Sequence, residues 1–132
     1  MLGIGVMIQS LGGNEETVKA VQSSLGKQIS SVALVDDKFK LNFEDGTELT
    51  FSDEGQSCCE HRYMTTSDDL NLIAGAKFVD VELRDAPSVL EEYGDEHEVQ
   101  FLVVSTDKGN VTIETHNEHN GYYGGFYICA RN

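Results

Sequence analysis

The stretch that decides the fold runs from Ile29 to Phe51 and reads ISSVALVDDKFKLNFEDGTELTF. Apolar and polar residues alternate in three segments, as they do in half-buried β-strands. The segments are residues 29–35, 38–43 and 47–51. Asp36-Asp37 separates the first two segments and Asp45-Gly46, a strong hairpin signal, separates the last two. The pattern therefore predicts a three-stranded antiparallel meander.

Two short helices and further strands are predicted around this meander. One helix begins after Asn14, a suitable N-cap, carries acidic residues in its first turn and stops at Gly26. Ser67 is a suitable cap for a second helix that ends near Gly75. Additional strands are predicted at residues 77–83, 98–105, 110–115 and 125–130, with a surface loop at 84–96. The chain is thus expected to be an α+β protein with one antiparallel sheet of about six or seven strands and two short helices.

Length and charge narrow the classes of function. The 132 residues fit one domain, 1–132, with an N-terminal extension and short helix at 1–26 and a sheet-rich core at 27–130. The net charge is −14 and the sequence pI is about 4.4, so the surface should repel duplex nucleic acid and anionic membranes. The opening residues lack the basic region of a secretory signal, and no apolar run approaches a membrane span. A cytoplasmic protein is expected.

The run Cys58-Cys59-Glu60-His61-Arg62-Tyr63 is the most unusual local feature, and His97, His116, His119 and Cys129 follow far downstream. Structural zinc sites normally space two cysteines by two to four residues, so adjacent cysteines predict reduced thiols and no metal. The His116-x-x-His119 pair offers two further ligands for a zinc site. If the run is extended, Cys59 and His61 share a face, which leaves a Cys/His-dependent hydrolase open as another alternative.

A second unusual segment, residues 117–125, reads NEHNGYYGG. Asn-Gly favours a hairpin turn, and the glycine pair invites close approach of a backbone or a ligand. Tyr122 and Tyr123 stand beside these glycines, where an aromatic ring can stack on a nucleobase. A plain hairpin with two half-buried tyrosines explains the same residues. No P-loop, nucleophile elbow or zinc-protease motif occurs in the sequence, so no catalytic residue is predicted.

In their order along the chain, several segments resemble those of small phage and prophage proteins with paired cysteines and a terminal NGYYGG turn. The matching positions are Cys58 to Glu60, Leu72 to Ala76, Tyr93-Gly94, Thr106 to Gly109 and Asn120 to Gly125. The chain is similar in this respect to the Thoeris anti-defence sponges. The resemblance implies a non-enzymatic protein that binds and sequesters a signalling nucleotide of the cyclic ADP-ribose type, or a cyclic oligonucleotide. It also implies a homo-oligomer with nucleotide pockets at subunit interfaces. If the gene belongs to a phage, the expected location is the cytoplasm of the host cell.

A small nucleotide and a second copy of the chain are therefore the expected partners, and no cofactor is predicted. Stacking is expected from the tyrosines, and phosphate contacts are expected from Arg62 and Lys108. The candidate ligand-binding residues are Cys59, Glu60, His61, Arg62, Tyr63, Lys108, His116, Asn117, Asn120, Gly121, Tyr122 and Tyr123. One alternative is an acidic protein that mimics nucleic acid or docks on a basic host protein. A Cys/His-dependent hydrolase or zinc protein is the third.

Overall fold

The computed structural model describes residues 15–55, 60–85, 89–90, 96–119 and 126–132, without the side chains of residues 85, 89, 90 and 96. Within those ranges the chain forms one α-helix, one short 3₁₀ helix and nine strands. The helix α1 spans Glu15–Ser24, and the 3₁₀ helix spans Leu70–Ile73. The strands are β1 Ile29–Val35, β2 Lys38–Phe43, β3 Glu48–Asp53, β4 Glu60–Thr65, β5 Phe78–Asp85, β6 Val89–Leu90, β7 Glu96–Thr106, β8 Gly109–His119 and β9 Ile128–Arg131.

The strands form two antiparallel sheets, so the predicted single sheet of six or seven strands is wrong. The first sheet has the order β1-β2-β3-β9, and the second has the order β4-β8-β7-β5, with β6 also paired to β7. Sequence alternation locates strands but does not identify their partners. After β3 the chain leaves the first sheet and β4 pairs with β8 instead, and the last strand, β9, returns to pair with β3.

The predicted meander is confirmed as the core of the first sheet. Strands β1 and β2 have the predicted bounds, and β3 begins one residue and ends two residues later than expected. Asp36 and Asp37 both have positive φ angles, 52° and 58°, which is the conformation of a two-residue type I′ hairpin turn. The turn pairs Val35 with Lys38 and thereby sets the register of β1 on β2.

One of the two predicted helices is present as an α-helix. Helix α1 buries Ala20 and Val21, and the chain turns away at Gly26, whose φ is 82°. The predicted second α-helix is wrong, because the chain forms only the four-residue 3₁₀ helix there. Its cap is Asp69 rather than Ser67, since the Asp69 side chain accepts from the backbone N–H of Asn71.

Both sheets and α1 share one hydrophobic core. Its large buried side chains come from the meander, the second sheet and the 3₁₀ helix, and include Phe39, Phe51, Phe78, Leu102, Ile113 and Ile73. Backbone bonds between residues 26–29 and 75–78 link the sheets at one edge, with Ile29 N–H donating to Ala76 O at 2.7 Å. Most of the predicted 84–96 loop lies outside the described residues. No helix in the described part of the chain is long and apolar enough to cross a membrane.

Candidate functional site

Two neighbouring strands of the second sheet, β4 and β8, carry six of the twelve candidate residues, namely Glu60, His61, Arg62, Tyr63, His116 and Asn117. Strand β8 is central, with β4 on one side and β7 on the other. His116 lies opposite Tyr63 of β4, and Glu118 lies opposite both His61 of β4 and His97 of β7. Side chains alternate between the two faces of a strand, so these five residues share the outer face.

The outer face holds an array of rings, which we call the outer aromatic patch: His61, Tyr63, His97 and His116. Tyr63 stacks on His116 with ring centroids 4.4 Å apart and planes 6° apart. The ring centroids of His61 and Tyr63 are 4.7 Å apart, and those of His97 and His116 are 5.1 Å apart. The His61 side chain is 71% exposed, whereas His116 is 9% exposed. The patch is therefore a row of contacting rings in which His116 is buried and His61 is exposed to solvent.

Hydrogen bonds hold both ring nitrogens of His116. Its Nε2 lies 2.8 Å from Thr65 Oγ1, and its Nδ1 lies 2.9 Å from His97 Nε2. Burial lowers the pKa of His116 below its ordinary value, and the charge of a protonated His97 lowers it further. The carboxylates of Glu114 and Glu118 oppose this shift without cancelling it. His116 is consequently neutral at pH 7, with one nitrogen donating and the other accepting.

The inner face of the same strands carries a buried ion-pair cluster. Arg62 Nη1 donates to both carboxylate oxygens of Asp53, at 2.9 and 3.0 Å, and Arg62 Nε donates to Glu60 at 2.5 Å. All three side chains are at most 7% exposed. Burial disfavours the charged guanidinium, but the hydrogen bonds to Glu60 and Asp53 outweigh it and raise the pKa of Arg62. Because Asp53 belongs to β3, this cluster joins the first sheet to the second.

The inner face also takes His119 and Asn117. His119 Nε2 lies 2.6 Å from Glu98 Oε1 of β7, and the His119 side chain is 2% exposed. Asn117 is fully buried. His116 and His119, the pair considered as an alternative zinc site, do not face one ion, because residues three apart on a strand point to opposite faces. Among the residues that the structure describes, no three His, Cys, Asp or Glu side chains converge on one point.

The remaining candidates fall into two groups. Lys108 lies in the turn between β7 and β8, at the opposite end of β8 from His119, and the ten steps of β8 span about 34 Å at ~3.4 Å per residue, so Lys108 is not brought to the others. The candidates Cys59, Asn120, Gly121, Tyr122 and Tyr123 lie outside the described residues, as does Cys58. Residues on either side of positions 56–59 contact residues on either side of positions 120–125. Glu60 pairs with His119, and Glu54 N–H donates to Tyr127 O at 2.9 Å.

Sequence reasoning missed several partners that decide the geometry. Asp53 and Glu98 were not candidates, although they hold Arg62 and His119. Thr65 and His97 complete the hydrogen bonds of His116. The alternation in β7 and β8 is visible in the sequence, but only the register of the strands places 97 beside 118 and 63 beside 116.

A comparison with protein-family models matches residues 22–128, about four fifths of the chain. The chain belongs to the DUF7448 family. The family is described as a domain of unknown function. The comparisons with curated proteins and with solved structures gave no match. The DUF7448 match contains the whole outer aromatic patch and both partners of Arg62, so these features belong to the shared domain rather than to the first 21 residues.

The outer face of these strands carries aromatic groups that differ in exposure. The His61 ring is exposed and lies against Tyr63, whereas both nitrogens of His116 are already bonded, to Thr65 and to His97. The inner face offers no accessible group of the ion-pair cluster, because its three side chains are saturated and buried. The solvent-exposed ring among these residues is therefore on the outer face, at His61.

Proposed function

We propose that this protein binds a small signalling nucleotide, of the cyclic ADP-ribose or cyclic oligonucleotide type, and sequesters it without cleavage. In this proposal the protein is of phage type and counters a host antiviral defence by removing the defence signal. The resemblance to the Thoeris anti-defence sponges motivates the ligand class. The outer aromatic patch supplies the place for the base.

The observation that carries the proposal is the stacked pair of Tyr63 and His116. Their rings are nearly parallel at 4.4 Å, and Thr65 and His97 fix the His116 imidazole from both sides. A ring that is already held by its neighbours loses little conformational entropy when a base stacks beside it. His61 lies two residues after Cys59 and His116 lies four residues before Asn120, so the patch is close in sequence to two segments of the resemblance.

The placement of the cations changes how phosphates are expected to be recognised. Arg62 is fixed between Asp53 and Glu60, and Lys108 lies at the far end of β8. Neither of these described residues is available to a phosphate beside Tyr63. Recognition led by stacking on the base therefore fits an acidic chain better than recognition led by phosphate charge.

Native mass spectrometry of the full chain, incubated with a panel of cyclic and linear nucleotides, tests the proposal. A bound nucleotide is expected, and it should be recovered intact on release, because a chemically altered product would show catalysis instead. Tyr63→Ala should weaken binding by about tenfold or more, since base stacking on an aromatic contributes ~1–3 kcal/mol. Tyr63→Phe keeps the ring and is the matched control, so it should bind nearly as well as the parent.

The outcomes separate the candidate functions. Failure of every nucleotide to bind would remove the proposal and favour the acidic interaction surface suggested by the net charge of −14. Equal binding by the parent and Tyr63→Ala would place the ligand elsewhere. The same spectra report stoichiometry and so test whether the binding species is a homo-oligomer.

A further inference from the structure

Among the described strands, β1, β9, β4 and β5 form the edges of the two sheets, and three of these edges are protected. In the first sheet, Ala130 N–H of β9 donates to Thr17 Oγ1 of α1 at 3.3 Å, so the helix covers that edge. In the second sheet, Met64 N–H of β4 donates to Asp37 Oδ1 at 3.2 Å. Half of the residues of β5 are charged, and charged side chains on an edge strand oppose pairing with another chain.

Strand β1 is the edge strand that lacks this protection. Its seven residues, Ile29 to Val35, include no charged side chain. Backbone bonds to Gly75 and Ala76 cover its first residue, Ile29, but no described strand pairs with the side of β1 that faces away from β2. Val35, at its other end, is 61% exposed. An uncharged edge strand of this kind is a site at which a strand of another chain adds to the sheet.

We propose that β1 pairs antiparallel with β1 of a second copy of this chain, so that two four-stranded sheets join into one sheet of eight strands. The net charge of −14 makes two copies repel each other over most of their surface. The uncharged β1 lets two copies approach without bringing acidic side chains together. Pairing about a two-fold axis also makes the strand its own complement, as in other dimers of identical chains.

The hairpin turn determines which backbone groups of β1 face a second copy. Val35 and Lys38 flank the two-residue turn and therefore bond to each other. Bonded and non-bonded positions alternate along an antiparallel pair, so Val32 and Leu34 turn their backbone N–H and C=O groups away from β2. Pairing Val32 of one copy with Leu34 of the other satisfies all of these groups. The same register places Ala33 opposite itself at the two-fold axis.

This register joins apolar side chains and keeps the acidic turns apart. Val32 and Leu34 are half-buried against the core of their own chain, and each comes beside the other residue of the second copy. Asp36 of one copy falls opposite Ser30 of the other, about six residues or ~20 Å from Asp36 of that copy. Repulsion between the two turns is screened, because this distance exceeds the Debye length of ~8 Å at physiological ionic strength.

Analytical ultracentrifugation of the full chain without nucleotide, from micromolar to submillimolar concentration, tests the pairing. A reversible equilibrium between monomer and dimer is expected. Ala33→Glu and Ala33→Lys should each weaken the dimer by about tenfold or more, because like charges then face each other at the two-fold axis. An equal mixture of the two variants should restore the dimer, since opposite charges then meet there.

Val79→Glu is the matched control. Val79 is a 52% exposed residue of the edge strand β5, so this variant adds the same charge to a different edge. It should leave the dissociation constant of the dimer nearly unchanged, and circular dichroism should confirm that all variants fold.

Amide hydrogen exchange of the parent chain gives a second measurement that needs no variant. The amides of Val32 and Leu34 should be protected in the dimer and exchange rapidly after dilution to the monomer. The amide of Ala33 bonds to β2 and should be protected in both states.

Four results would overturn the proposal. The first is a monomer throughout the concentration range. The second is a dimer that persists unchanged in both Ala33 variants. The third is equal weakening by Val79→Glu and Ala33→Glu, which would indicate general repulsion between acidic chains. The fourth is protection of Val32 and Leu34 that does not change on dilution to the monomer, which would assign the edge to another segment of the same chain.

The pairing of β1 does not rest on nucleotide binding. The outer aromatic patch belongs to the second sheet, so none of its residues is part of the β1 pair. A dimer of the expected kind without any bound nucleotide overturns only the proposed function. A nucleotide bound by a chain that stays monomeric overturns only the β1 pairing.

Discussion

Replacing Arg62 by methionine tests whether the buried ion-pair cluster holds the two sheets together. Methionine preserves much of the length and apolar stem of the side chain, so the substitution chiefly removes the guanidinium. The guanidinium donates two hydrogen bonds to Asp53 and one to Glu60. The substitution removes the cation that these two carboxylates share, and both are at most 6% exposed.

The expected cost follows from that burial. Removing one partner of a buried ion pair typically costs about 3–5 kcal/mol, because the charge left behind stays desolvated. Here two carboxylates are left, so the upper part of that range is expected for Arg62→Met. A domain of this kind has a free energy of unfolding of about 5–15 kcal/mol, so the loss is a large fraction of the total. Removing all three charges with Asp53→Asn and Glu60→Gln should recover much of it, since no uncompensated charge then remains.

Urea denaturation followed by far-ultraviolet circular dichroism measures these changes. The matched control is Arg131→Met, which removes an Arg–Glu54 pair at 3.3 Å whose arginine side chain is 69% exposed. An exposed pair contributes about 0–1 kcal/mol, so the control should stay within about 1 kcal/mol of the parent. If Arg62→Met costs no more than Arg131→Met, the cluster does not hold the sheets together. A triple variant less stable than Arg62→Met would contradict the explanation by stranded charge.

Three further predictions concern pH and assembly. The pKa of His116 is lowered in the folded state, so the unfolded chain binds the proton more readily than the folded chain. The neutral imidazole therefore stabilises the fold above pH 6.5, and this stabilisation is lost as pH falls through the lowered pKa. Urea titrations at pH 7.5 and 5.5 should show a smaller change in the free energy of unfolding for His116→Gln than for the parent. Hydrogen bonds from Thr47, first from its side chain and then from its backbone, together with Lys27 lower the pKa of Asp45 to about 2, so Thr47→Val should raise it in an NMR titration. The ionised Asp45 carboxylate stabilises the fold above its unfolded pKa of 3.8, and this stabilisation is lost as pH falls toward 2. Light scattering should show a homo-oligomer at micromolar concentration, and a monomer alone would remove the interface-pocket form of the sponge proposal.

The local parts of the fold could be predicted from the sequence, because they depend on near neighbours. Strands β1 and β2 and helix α1 follow from alternation, capping and the Asp36-Asp37 turn, all of which are local signals. The division into two sheets could not be predicted, since it depends on β4 pairing with β8 across about 50 residues. The false second helix has a local cause. Asp69 satisfies a backbone N–H in a single turn, which the sequence does not distinguish from the cap of a longer helix.

The candidate site was only partly predictable for a related reason. The unusual residue types identified β4 and the end of β8 as places of interest, and in the structure the two strands pair at Glu60 and His119. Which face each side chain takes depends on where the strand begins, and one residue reverses the assignment. The sequence therefore grouped Arg62 with Tyr63 as ligand contacts, although the strand sends them to opposite faces.

Arg62 and Tyr63 point to opposite faces of β4, so the inner side chains of this short strand contribute to stability and the outer ones form its surface. The inner side chains of β4, Glu60, Arg62 and Met64, enter the ion-pair cluster or the core, so changes there act on the free energy of unfolding. The outer side chains, His61 and Tyr63, stack against the imidazoles of the neighbouring strands and leave a surface open to a ligand. Removing the Tyr63 ring leaves no buried charge unpaired, so its effect should fall on ligand affinity rather than on stability. Because β4 is an edge strand of its sheet, both roles depend on the single row of backbone bonds to β8 that fixes this alternation.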